Sequence, residues 1–367
     1  MKVCFISPHV YPLFNEEYKF NFGGAEVQLY LIAKELAKDT SYETHFITAD
    51  FGQSKFEIKE SVILHKSFPL ELFVQKKAHY LNFKKIVKTI KFVFAILKVN
   101  ADIYIQRTAG AETGITAFLC CLMKKKFIFM TGHDMDCNTE YIKNNGLRGL
   151  MFSFGIKRAN LIITQSKHHK DMLFRFHGIK STIINNVFNI EEKYIDNKEY
   201  ILWVGRIISW KQPELFLKIT ERFKNEKFVI VAPQSCTNEE YQSFVTELDN
   251  IKNIKYIKYV PFSKIDKYFK KAKVLINTSL HEGFPNTFIQ AFKNCTPILT
   301  LGVNPDGIIE KYKLGICSKT FEEMVNNLNI LLKNETYKNY AENCYSYAKD
   351  NNNIKSVIVD FKNIIKN

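Results

Sequence analysis

Short apolar runs recur through this 367-residue chain with helical stretches between several of them, and no other feature constrains its fold as strongly. Val3 to Ile6, His45 to Thr48, Val62 to His65, Ile103 to Gln106, Phe127 to Met130, Leu161 to Thr164 and Thr182 to Asn185 each read as a strand. Helical spacing appears from Ala25 to about Lys38, where Val27, Leu31, Ile32 and Leu36 can share one side. Strands alternating with helices argue for a parallel sheet covered by helices, an α/β fold.

The alternation stops near Asn189. The polar run Glu191 to Glu199 reads as a linker, and a second series follows: Ile201–Val204, Phe228–Val231, Ile254–Tyr259, Val274–Asn277 and Pro297–Leu301. Helices are expected over 212–224, 237–249 and 263–271. A chain of this length is long for one core. The spacing therefore predicts a domain over 1–188, a linker over 189–199 and a second domain over 200–350. Ile354, Val357, Ile358, Phe361, Ile364 and Ile365 follow helical spacing, so the final helix has an apolar side that needs cover.

Lysine and arginine number 52 against 37 acidic residues, a formal charge of +15. The surplus favours anionic partners, although a Lys- and Asn-rich composition without functional meaning accounts for it equally well. A nucleic-acid reader has charge as its only support, since no reading motif is visible. None of the eight cysteines forms a Cys-x-x-Cys pair, which fits a reducing compartment and no metal framework. No apolar run approaches the roughly 20 residues of a spanning helix, and the amino terminus does not read as a leader, so a cytoplasmic protein is expected.

The candidate chemistry gathers after two strands. Beyond Val274–Asn277 comes a loop with Glu282, Gly283, Phe284 and Pro285, then Asn286 and Thr287, which suit a helix start and its anion-binding amides. Beyond Ile201–Val204 come Gly205, which permits close approach, Arg206, a planar fork for phosphate oxygens, and Lys211, a point charge. Ligands of open α/β sheets collect outside the carboxyl ends of strands, so both groups could meet one diphosphate. Taken alone, the first is as readily an ordinary strand-turn-helix corner, and the second reads more simply as two surface cations beside a turn.

Gly205-Arg206 with Lys211 and Glu282-Gly283-Phe284-Pro285-Asn286-Thr287 resemble glycosyltransferase family 4. The likeness extends to Gly23-Gly24-Ala25-Glu26, Thr131-Gly132-His133-Asp134, Gln165-Ser166, Ile184-Asn185-Asn186 and Val260-Pro261-Phe262, in the expected order. The resemblance implies a retaining enzyme of two facing Rossmann-like domains with a deep cleft, the B-type fold. In this reading the final helix, about 351–367, packs back on the first domain. Arg206 and Lys211 would bind the diphosphate of a UDP- or GDP-linked sugar, and Glu282 with the amides after it would hold the sugar. Gly23 and Gly24 would face the phosphates, and His133 would lie by the reacting carbon. Gln290 stands where the family usually carries a second glutamate for the ribose; an amide oxygen can still accept from a hydroxyl.

Asp134 and Asp136 could hold a divalent metal in another glycosyltransferase fold, or simply close a polar turn. The B-type order favours the turn, and a metal-independent enzyme without further cofactor is expected. The acceptor is expected to be a glycan or a lipid-linked glycan of surface polysaccharide synthesis. A non-catalytic binder of sugar nucleotides or other polyanions is the alternative. Residues 70–100 interleave lysines with aromatics and could rest on an anionic membrane, or form a surface helix with solvated lysines.

Overall fold

The computed structural model describes residues 1–70, 83–193 and 197–366, without the side chains of 83–85 and 334–336. The chain divides into two compact units, Met1–Val187 with Ile354–Asn367, and Phe188–Asn353. Each is built on one sheet of mostly parallel strands flanked by helices, the α/β architecture that the sequence predicts.

The first unit holds β1 (Lys2–Ile6), β2 (Glu43–Asp50), β3 (Phe56–Lys59), β4 (Val62–Pro69), β5 (Ile103–Arg107), β6 (Lys126–Met130), β7 (Leu161–Thr164) and β8 (Thr182–Ile183). Among the described residues they form one sheet in the order β3-β4-β2-β1-β5-β6-β7-β8. All neighbours are parallel except β3, which runs antiparallel to β4. The sequence reading missed β3. It is a short edge strand whose Phe56 and Ile58 are exposed, and its turn uses Glu60 and Ser61 at positive φ. A two-residue hairpin turn normally announces itself with Asn-Gly or Asp-Gly, and neither is present.

The helices of this unit are α1 (Tyr11–Phe14), α2 (Gly24–Leu36), α3 (Phe83–Val99), α4 (Ala111–Met123), α5 (Glu140–Asn144), α6 (Gly146–Arg158) and α7 (Lys167–His177). One buried cluster joins Phe92 and Ile96 of α3, Cys120 of α4, Phe152 and Ile156 of α6, and Leu173 of α7. Cys4, Ile6, Ile47, Phe127 and Phe129 supply the sheet side of the same cluster. These four helices therefore cover one face of the sheet. Helices α4 and α6 cross so closely that a Cβ on Gly114 would lie 2.4 Å from the Met151 carbonyl oxygen.

The second unit holds β9 (Tyr200–Val204), β10 (Phe228–Val231), β11 (Ile254–Ile257), β12 (Ala272–Asn277), β13 (Ile298–Leu301) and β14 (Gly315–Ser318). They are parallel throughout, in the order β11-β10-β9-β12-β13-β14. Helices α8 (Pro213–Arg222), α9 (Asn238–Asp249), α10 (Asp266–Lys270), α11 (Asn286–Lys293), α12 (Ile308–Lys311), α13 (Phe321–Leu331) and α14 (Asn334–Asn351) link and flank them. The single helix expected over 263–271 is instead a 3-10 turn, Phe262–Lys264, followed by α10. Strand β14 also escaped the sequence reading, because Gly315-Ile316-Cys317-Ser318 has one large apolar residue.

The last helix, α15 (Ile354–Lys366), belongs to the first unit and packs on α2. Ile354, Ile358, Phe361 and Ile365 line its buried side. Lys362 Nζ meets Asp39 Oδ2 at 2.7 Å, and Lys126 donates to the Ile365 carbonyl at 3.3 Å.

A pH-sensitive contact joins β2 to β4. His45 Nδ1 and His65 Nε2 lie 2.8 Å apart with the rings stacked, and His45 Nε2 meets Glu43 Oε1 at 2.9 Å. A ring-to-ring hydrogen bond requires one neutral, accepting nitrogen. Burial pushes His65 down to about 4, aided by His45, Lys98 and Lys2. Burial also lowers His45, outweighing Glu43. A histidine lowered in the folded state stabilises fully above its unfolded value of about 6.5 and loses that contribution as pH falls toward 4. Urea midpoints of the wild type should therefore drop across this window, and His65→Gln should flatten the drop. Parallel curves for the two proteins would refute the assignment.

Candidate functional site

In the second unit the winding reverses between β9 and β12. Helices leave these adjacent parallel strands toward opposite faces, which opens a crevice outside their carboxyl ends. The two loops there are stitched together. Leu280 N–H donates to the Trp210 carbonyl at 2.9 Å, and the Thr278 hydroxyl donates to the Lys211 carbonyl at 2.6 Å. The Trp203 indole N–H reaches Thr278 Oγ1 at 3.0 Å. Gly205 leaves β9 against this indole, and a Cβ there would lie 2.7 Å from a ring carbon. Lys211 closes a 3-10 turn, Ser209–Lys211, and Gln212 at φ 46° starts α8.

This stitching brings the ammonium of Lys211 onto the carboxylate of Glu282 as an ion pair. Ser279 Oγ donates to the same Glu282 oxygen at 2.9 Å, while Ser279 N–H contacts Asn277 Oδ1 at 3.3 Å. Both ion-pair side chains are largely buried. Arg206 differs: its guanidinium is exposed and has no hydrogen-bond or ion-pair partner among the described residues. Two of the ammonium's three donors and all of the fork of Arg206 are thus left for phosphate oxygens.

Helix α11 begins at Asn286, with Pro285 at its N-cap. Proline offers no side-chain acceptor to the first amides. Phe284 and Pro285 are buried, and Phe288, Ile289, Ala291 and Phe292 form the core side expected for them. Gly283 and Thr287 are half-buried at the turn. Gln290 is 6 % exposed, and its side-chain amide has no hydrogen-bond partner among the described residues.

The first unit reverses its winding between β1 and β5, and its candidate residues gather at that edge. Asp136 Oδ2 accepts from the Gly132 and His133 amides at 2.7 and 2.9 Å, and its Oδ1 accepts from Ala109 at 2.8 Å. These bonds shape the loop that presents His133. The His133 Nδ1 accepts from Met135 N–H at 3.4 Å. Asp134 Oδ1 meets His169 Nε2 at 2.9 Å. Burial raises the Asp134 carboxyl, but His169, His168 and His133 overcome this and hold it below the usual carboxylate range. Both aspartates are thereby engaged within the protein: Asp136 by amides and Asp134 by imidazole.

Gly23 and Gly24 open α2. The carboxylate of Glu26 accepts the Gly23 N–H at 2.8 Å, so a side-chain anion already sits at this helix end.

Arg107 was missed by the sequence reading. It ends β5, is 6 % exposed, and donates to Gln165 Oε1 at 2.7 Å and Asn186 Oδ1 at 2.8 Å. Gln165 Nε2 in turn donates to the Gly132 carbonyl at 3.1 Å. Burial lowers Arg107 to about 10, opposed by Asp136 and Glu26, so it stays charged at neutral pH. The signal was an arginine closing a strand that is otherwise buried. Its partners Gln165 and Asn186 were both in the motifs quoted above.

Residues 187–351 match the family model described as Glycosyl transferases group 1. The matched stretch coincides with the second compact unit, Phe188–Asn353. Two uncharacterized glycosyltransferases of Methanocaldococcus jannaschii are similar in sequence. One is 25 % identical, covering 71 % of this chain and 69 % of its own. The other is 22 % identical, covering 94 % and 95 %. Sucrose-phosphate synthase from Thermosynechococcus elongatus shares the fold with a TM-score of 0.76 at 13 % identity, covering 100 % of this chain and 98 % of that one. The Anabaena protein HepE in complex with UDP gives 0.73 at 12 %, with full coverage of both chains. A TarM mutant of S. aureus in complex with fondaparinux, α-GlcNAc-glycerol and UDP gives 0.75 at 12 %, also over both full chains.

The contact between Gly205 and Trp203 within the second unit is directly testable. Gly205→Ala should force the indole or the loop to shift, lowering stability by about 1–3 kcal/mol. The check is the urea midpoint together with the emission wavelength of the two tryptophans, Trp203 and Trp210. An unchanged midpoint and spectrum would show that the loop tolerates a methyl group.

Proposed function

We propose that the chain is a retaining glycosyltransferase, moving a sugar from a UDP- or GDP-linked donor to a glycan or lipid-linked acceptor in surface polysaccharide or glycoconjugate synthesis. The observation that carries the reading is the pairing of unpartnered Arg206 with the Lys211–Glu282 ion pair at the winding reversal of a group 1 domain. HepE and TarM, which share the fold, were seen with UDP.

Cleavage of the donor breaks the bond from the anomeric carbon to the diphosphate oxygen. Negative charge grows on the leaving diphosphate and positive charge on the sugar. Arg206 and the Lys211 ammonium stabilise the leaving charge, and fixed cations cost no reorganisation at the moment of reaction. Glu282 keeps Lys211 in place and offers its second oxygen to sugar hydroxyls. The Gln290 amide, its hydrogen bonds unspent, accepts from the ribose. The acceptor hydroxyl attacks on the face the diphosphate leaves, forms the new bond to carbon and passes its proton to the departing phosphate. No enzyme nucleophile is required.

Arg206→Ala and Lys211→Ala should each lower kcat more than they change stability, since both groups act where charge grows. A loss of about 100-fold or more is the size expected for removing one such donor. The check is nucleoside diphosphate release with melting temperatures alongside, and near-normal kinetics in the double variant would remove the diphosphate site. The protein's own cations take the place of a metal in this reading, so activity should survive EDTA. Complete loss, restored by Mn²⁺ or Mg²⁺, would overturn metal independence.

A further inference from the structure

Helix α3 carries two apolar stripes. Phe92, Ala95, Ile96 and Val99 are buried against the sheet. Ile86, Ile90, Phe94 and Leu97 recur at i, i+4, i+8 and i+11, about opposite to the first stripe, and all four are exposed, Phe94 by 65 %. One stripe builds the core, and folding of this unit does not require the other.

The neighbouring helices continue the second stripe. Helices α3, α4 and α6 share one core cluster on one face of the sheet, so their outer sides form one surface. Phe118 and Leu122 are exposed on α4. On α6, Leu147, Leu150 and Phe154 are exposed at i, i+3 and i+7, Leu147 by 73 %. Scattered exposed apolar residues are ordinary, but nine on three adjacent helices form a patch of the kind that marks an interaction surface.

Charge identifies the partner. Lys91 and Lys98 flank the α3 stripe, and Arg148, Lys157 and Arg158 stand exposed on α6. Arg158 lies over the Phe154 ring, 5.9 Å from its centre. The three helices contain one acidic residue, Glu112, and it is paired with Lys88 at 2.8 Å. A broad outer surface of aromatic and aliphatic side chains among unpaired-in-sign cations matches lipid headgroups above and acyl chains below.

We propose that the outer face of α3, α4 and α6 docks the protein on an anionic lipid bilayer. The contact expected from residues 70–100 is thereby reassigned to the three-helix face. Lys76 and Lys77 lie outside the described residues, as do the side chains of Lys84 and Lys85. Ile86, Ile90, Phe94 and Leu97 enter the interface between headgroups and chains, while Lys91, Lys98 and the cations of α6 stay among the phosphates.

The full-length protein should be sedimented with vesicles of phosphatidylcholine alone and of phosphatidylcholine mixed with phosphatidylglycerol, across a salt series. Binding is expected to the mixed vesicles only, and to fade as the Debye length shrinks to about 3 Å at 1 M salt. Phe94→Ser with Leu150→Ser should weaken it about tenfold or more, the size expected for apolar side chains that leave water on docking. Lys91→Glu with Lys98→Glu should weaken it too. All four positions are exposed, so melting temperatures should stay unchanged. Equal binding to both vesicle types, no binding to either, or binding unaffected by both double variants would overturn the proposal. So would a dimer that dissociates in the Phe94→Ser, Leu150→Ser variant without vesicle binding, which would assign the face to a second copy of the chain. None of these readouts uses transferase activity, so they stand or fall apart from the proposed reaction.

Discussion

A parallel sheet sends all its carboxyl ends to one edge, and the helices that return the chain cover its two faces. Where the order of strands reverses, the flanking helices part to opposite faces and the edge between them stays open. Both units are built on this constraint, at β1/β5 and at β9/β12. Arg107, the His133 loop, Gly205 to Lys211 and Ser279 to Thr287 all lie within a few residues of those edges. The fold therefore selects where polar chemistry can stand before any particular side chain is chosen.

The two edges handle charge differently. In the first unit the carboxylates are consumed locally: Asp136 organises three amides, Glu26 caps α2 and Asp134 holds His169. Arg107 is likewise absorbed, between Gln165 and Asn186. This edge is a braced platform. In the second unit, Lys211 and Glu282 neutralise each other while Arg206 adds a positive charge without a partner. A buried ion pair contributes little net stability after desolvation, so its value here is geometric. It fixes the direction of an ammonium that would otherwise sweep through solvent.

The regular interior strands were legible because parallel strands buried on both faces read as continuous apolar runs. The exposed edge strand β3 and the polar β14 lacked that signal. Gly205 and Gly283 marked the loops after β9 and β12 as places where close approach is permitted, and the family resemblance singled them out. They did not show that Lys211 and Glu282 form a pair, because the bond joins residues 71 positions apart through a register between strands. Arg107 stayed hidden for a related reason: its partners stand at 165 and 186, and only the sheet order brings them together. Aromatics among lysines were visible along α3, Phe92 and Phe94 among them. Which stripe met the core depended on the rotation of the helix against the sheet.

The path of the chain between the units has a consequence for biosynthesis. Helix α15 completes the first unit, yet it is translated after every residue of the second. At ribosomal rates of about 5–20 residues per second, α2 waits roughly fifteen to sixty-five seconds for Phe361 and its neighbours. During that interval the apolar surface meant for α15 is open to solvent, and the second unit has the time to fold first. The nascent protein thus passes through a stage in which its earlier half is the less finished one. An apolar flank on α2 is then a natural landing place for a chaperone until the final helix arrives.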